Sequence, residues 1–167
     1  MAEYPTMFFT ADIASLLKIP EWRVIKFAMG SEYQITPTHS DAAGSGTRRV
    51  YGIEDVCKIA LALRLLDAGL SSKAIGRILR ELQRREPLSA QLEAKRGRLA
   101  YLYLVVFRTP KSKIWRGKEE AYFVSSLTAA AVDAAERPKD DLLLISVGSM
   151  FRVLKHRLIK MRKEKEQ

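Results

Sequence analysis

The chain has 167 residues, is 47% hydrophobic and carries a formal charge of +10. That much apolar material supports a packed core and argues against disorder, while no apolar run approaches the ~18 residues of a membrane span. Met1–Thr10 lacks the basic and apolar regions of a signal peptide. Cys57 is the single cysteine, and His39 and His156 stand far apart. Neither an intrachain disulfide nor a metal site is therefore expected, no cofactor is implied, and the expected location is a reducing cytoplasm.

The first stretch reads as helical. Thr10 is the expected N-cap of a helix whose Ile13, Leu16 and Leu17 share one face. Lys18-Ile19-Pro20 breaks it, and Pro20 suits the start of a second helix, Glu21 to Met29, with Trp22, Ile25 and Val24 expected to face inward. Residues 33–51 change character: Tyr33-Gln34-Ile35, a small polar tip with Gly44 and Gly46, and a returning Arg48-Arg49-Val50-Tyr51 together predict a β-hairpin. Two further helices follow, Val56 to Ala68 and one starting at Ser71-Ser72-Lys73 with Ile75, Ile78, Leu79 and Leu82 at helical spacing.

The charged stretch 87–98 is the expected linker between residues 1–86 and residues 99–167. The second part alternates: strand Leu99–Phe107, basic loop, strand Ala121–Ser126, short helix Thr128–Ala135, strand Asp141–Val147, and a last helix capped by Ser149 that runs into a basic tail. The expected class is α+β, with residues 1–86 folding without the rest. The charge excess lies in the second part: residues 1–86 hold 12 Lys/Arg against 10 Asp/Glu, and residues 87–167 hold 17 against 9. A basic protein is predisposed to polyanions through counterion release, but this distribution does not locate a specific contact.

The pattern helix, three-residue turn, helix is the geometry that lays a second helix in the major groove of DNA. On that helix Glu21, Arg23 and Lys26 are expected to be exposed, with Trp22 between them; Arg23 suits a guanine edge or a phosphate, and Lys26 a phosphate. The hairpin adds Thr47, Arg48 and Arg49 beside glycines, which suits backbone or minor-groove contact.

In this order the elements of residues 7–82 resemble the DNA-binding domain of the MerR superfamily of transcriptional regulators. The carrying stretches are FTADIASLLKIPEWRVIKFA, ITP with RRVYGIEDVCKI, and LRLLDAGLSSKAIGRIL. The most specific piece is Arg49-x-Tyr51 leading into Ile53-Glu54-Asp55; Arg48 stands where the family wing usually has an aromatic residue, and Lys26-Phe27 where its recognition helix often has adjacent tyrosines. The resemblance implies a winged helix-turn-helix with Arg23 and Lys26 toward the groove and Arg49 and Tyr51 at the backbone. It implies double-stranded DNA as partner, with RNA polymerase and an effector of unknown chemistry as further candidates. Ser71, Ser72 and Lys73 form a helix start whose N–H groups suit a phosphate or an ordinary cap; Thr10 joins the same surface.

The family's long dimerising helix is interrupted here by Pro87, Gly97 and a strand. The last helix instead offers Phe151, Leu154, Leu158 and Met161 at three-four-three spacing, read either as a homodimer contact or as packing on its own chain. Tyr101, Tyr103, Trp115, Tyr122 and Phe123 suit an apolar pocket or cross-strand core pairs. Asp133, Glu136, Asp140 and Asp141 are clustered acids read as a solvated surface; no nucleotide or hydrolase motif is present, and no enzyme is expected. An excisionase-like or architectural DNA-binding module is the alternative function, and an accessory subunit of a nucleic-acid enzyme a more distant one.

Overall fold

The computed structural model describes residues 7–29, 32–33, 35–39, 48–85, 88, 102–108, 119–137 and 141–165. Among them the protein is α+β. Helices α1 (Thr10–Leu17), α2 (Glu21–Met29), α3 (Ile53–Asp67) and α4 (Ser72–Arg85) precede strands β1 (Tyr103–Arg108) and β2 (Glu119–Val124); helix α5 (Leu127–Glu136), strand β3 (Asp141–Ser146) and helix α6 (Val147–Lys165) follow. Among the described residues no helix is long and apolar enough to cross a membrane.

Helix α1 begins one residue earlier than its expected cap allows. Thr10 is the first helical residue, and the Asp12 carboxylate accepts the Phe9 N–H at 3.0 Å. The helix stops through backbone geometry. Lys18 takes the left-handed conformation at φ 57°, its N–H reaches Ser15 O, and Ile19 N–H reaches Ala14 O at 3.0 Å. These two reversed bonds satisfy the last carbonyls and turn the chain into α2 within three residues.

Helix α2 buries Val24 and Phe27, whereas Trp22, expected inside, is 64% exposed. Val24 and Phe27 lie three apart and define a narrow inward stripe. Trp22 falls outside it because helical phase, not hydrophobicity, decides which side chain meets the core. Helix α3 is buried on most of its circumference, through Val56, Ile59, Leu61 and Leu65 among others. Helix α4 buries the expected stripe of Ile75, Ile78, Leu79 and Leu82, and Ser71 Oγ accepts the Ala74 N–H to cap it.

The sheet is antiparallel in the order β2-β1-β3, with Val105 opposite both Tyr122 and Leu144. Period-two alternation gives it two faces. One carries Leu104, Val106, Phe123 and Ile145 into the main core. The other carries Val105 and Phe107, which with Tyr122 and Val124 pack on Ala130 of α5. Tyr122 and Phe123 therefore point to opposite faces and do not share a pocket; Tyr101 and Trp115 lie outside the described residues. Helix α6 starts at Val147, and its cap is Ser146, whose Oγ accepts the Ser149 N–H at 3.3 Å. The expected Ser149 cap is thus inside the helix.

One core runs through both parts of the chain, from Phe8 through Leu61 and Ile78 to Leu104, Leu154 and Leu158. Leu88, inside the expected linker, is 4% exposed. Helix α6 packs along α1 and α3 as well as on β1. Leu154 and Leu158 are buried within their own chain, and Phe151 and Met161 are partly buried against the same core. Leu154 and Leu158 are thus used in packing within the chain, while Phe151 and Met161 keep part of their surface.

Candidate nucleic-acid interface

With Val24 and Phe27 inside, the outward surface of α2 is Glu21, Trp22, Lys26 and Met29. Trp22, Lys26 and Met29 lie on one line, at i, i+4 and i+7. The two flanks of α2 are chemically different. On one, Glu21 and Ile25 line an open cleft of about 510 Å³ with Phe9, Thr10, Asp12, Arg48 and Arg49. On the other, Arg23 lines a smaller cleft shared with α3 and α6. Arg23 and Lys26, expected to work side by side, therefore face different surroundings.

The β-hairpin expected over residues 33–51 is not formed by paired strands among the described residues. Only isolated bridging occurs there, at Val50 and Tyr51, because Tyr51 pairs with Phe8 ahead of α1 instead of with the 33–35 limb. The region is nonetheless fixed at its base. Phe8 and Tyr51 exchange two backbone bonds of 2.9 Å, and His39 N–H donates to Val50 O at 3.2 Å. The buried carboxylate of Asp55 ties the base to α3: Oδ2 accepts the N–H groups of Thr38 and Gly52, each at 2.8 Å, and Oδ1 accepts the Thr38 hydroxyl at 2.8 Å. The sequence shows Asp55 only as part of a helix start; its second role needs Thr38, seventeen residues away, to be brought beside it. A buried charge is stable only when so satisfied.

Tyr51, which the resemblance places at a phosphate, is fully buried. Its ring belongs to the core, and contact with a ligand is left to exposed Arg48 and half-buried Arg49. Arg48 stacks its guanidinium 5.9 Å from the Phe9 ring centroid, which tethers the arm to the start of α1. Thr47 and the tip of the hairpin lie outside the described residues.

Ser71 spends its hydroxyl on the cap, while half-buried Ser72 and exposed Lys73 stand at the start of α4. Behind them α4 approaches the chain so closely that a Cβ on Gly76 would overlap the Glu32 carbonyl oxygen. This contact positions the segment that leads out of α2.

Other candidate chemistry is dispersed. Cys57 is buried, and desolvation, reinforced by Glu54 and Asp55, pushes its thiol up to about 12, so it holds little thiolate. Of the clustered acids, Asp133 accepts the Tyr122 hydroxyl at 2.6 Å, Glu136 is exposed on α5, Asp141 opens β3, and Asp140 lies outside the described residues. Among the described residues no three metal-ligating side chains converge. The chain matches no protein-family model, and no curated protein is significantly similar to it.

Proposed function

We propose that the protein binds double-stranded DNA in the cytoplasm as a transcriptional regulator, laying α2 in the major groove and the arm at Arg48-Arg49 on the backbone. The observation that carries this reading is the surface of α2. A helix that follows a three-residue turn, is pinned inward by Val24 and Phe27, and presents Glu21, Trp22, Lys26 and Met29 outward is the element such docking needs. Glu21 suits a cytosine amino group, the apolar side chains suit thymine methyls, and Lys26 suits a phosphate.

Two half-sites favour a two-fold reader. With Leu154 and Leu158 buried within one chain, pairing of two copies draws on surface left exposed elsewhere.

The test is selection of a bound duplex from a random pool, followed by anisotropy titration at several salt concentrations. Lys26→Ala with Arg48→Ala and Arg49→Ala should weaken binding by about 1–3 kcal/mol and flatten the salt dependence. A triple variant that binds like the wild type refutes the assigned surface. Sites at promoters support regulation; sites confined to recombination or partition loci support the excisionase-like or architectural alternative.

A further inference from the structure

The cleft on the far flank of α2 is not used by the reading above. It occupies about 260 Å³ where the α1–α2 turn, α3 and α6 meet. Three guanidinium side chains from three different helices reach it: Arg23 of α2, Arg64 of α3 and Arg157 of α6. Among the described residues Asp67 is the one carboxylate that lines it. Arg157 is held in place, its Nη1 donating to Leu16 O at 2.8 Å. That bond also satisfies a carbonyl at the end of α1, so the arginine is oriented before any ligand arrives.

The rest of the wall is apolar, from Leu17, Leu63, Met150 and Val153. Val153 is 49% exposed, a branched apolar side chain open at the wall of this cleft. Excess positive charge beside an apolar wall is complementary to one kind of ligand. The volume lies just under the ~300 Å³ at which drug-sized pockets begin, so that ligand is small.

We propose that this cleft binds a small amphipathic anion, a carboxylate or phosphate group on a short apolar body. The head group bridges Arg64 and Arg157 with Arg23 beside them, and the tail lies on Leu63, Met150 and Val153. Because Arg23 belongs to α2 and Arg157 to α6, occupancy ties the two helices together. Its effect on DNA affinity rests on the DNA-binding reading; the binding itself does not.

The experiment is calorimetric titration of the full chain with octanoate, without DNA, and with acetate as the probe that has the head but no tail. Saturable binding of one octanoate per chain, with acetate much weaker, is the expected result. Arg64→Ala and Val153→Glu alter exposed positions, preserve the fold by circular dichroism, and should each weaken octanoate at least about tenfold. Asp67→Asn removes the opposing charge and should tighten it. No binding at millimolar octanoate, or wild-type binding by both weakened variants, overturns the proposal. So does a result in which Arg64→Ala spares octanoate but lowers duplex affinity and its salt dependence, since the arginines then seat backbone phosphates. Octanoate binding that follows the predicted pattern in a protein that binds no duplex sustains this inference while the DNA-binding reading fails.

Discussion

The two flanks of α2 differ in charge, size and in what holds them. The hairpin side is a cleft of about 510 Å³ in which Asp12 and Glu21 face Arg48 and Arg49, and its base is tied by backbone pairing and the Asp55 carboxylate. The α6 side is about 260 Å³, sets three arginines against Asp67, and is built by side chains packed from the far end of the chain. Balanced charge beside an exposed helix suits an edge that must be read as well as attracted. Net positive charge beside an apolar wall suits a small anion. One helix thus feeds two surfaces because its buried stripe is narrow and both shoulders are left over.

The comparison can be broken first at Gly76. Gly76→Ala drives a Cβ into the Glu32 carbonyl oxygen, a backbone atom that can move only with its segment. We expect about 3 kcal/mol or more of destabilisation in urea melts. An Ala variant as stable as the wild type would show that α4 does not set the position of that segment.

Leu154→Ala attacks the other flank. Leu154 is 3% exposed in the core shared by both parts of the chain, so the loss should be about 2–5 kcal/mol. It should lower the melting of the whole chain as one transition. By the same argument a fragment of residues 1–86, which the sequence alone suggests is self-sufficient, loses the side chains of α6 that cover α1 and α3. It should melt well below the full chain; equal melting would show the two parts to be independent.

Asp55→Ala removes acceptors from three donors. About 2 kcal/mol of stability should be lost, with faster amide exchange at Thr38 and Gly52 and little change at α6. Uniform loss of protection across both flanks would argue against a local tie.

Cys57 reports on α3, which lines the α6-side cleft. Its folded value of about 12 stands above the usual 9.0, so its contribution to stability is complete below about pH 9 and declines as the pH rises toward 12. A disulfide reagent at pH 8 should modify the thiol only as fast as the chain opens; rapid labelling of the folded protein would contradict its burial.

The smallest effect is expected at Lys26, on the outward surface of α2. Lys26→Ala should leave stability within about 0.5 kcal/mol and reduce the salt slope of duplex binding by about one.

Periodicity in the sequence determined most of the elements. The stripe of α4, the strand at β1, the turn at residues 18–20 and the α+β class all follow from local pattern, because backbone hydrogen bonding and side-chain spacing act over a few residues. Phase and partner do not. Trp22 is legible as large and apolar but not as exposed, since its helical phase sets it apart from the stripe of Val24 and Phe27. Tyr51 reads as a wing residue and is core, and Asp55 reads as part of a helix start and also anchors Thr38. The α6 stripe fits a second chain or its own equally well at three-four-three spacing. For Leu154 and Leu158 the tertiary structure decided for its own, because Arg157 and Leu154 meet α1 and α3 across long stretches of sequence. Spacing along one helix fixes which side chains share a face, but only the surfaces that the rest of the chain leaves uncovered fix what that face will meet.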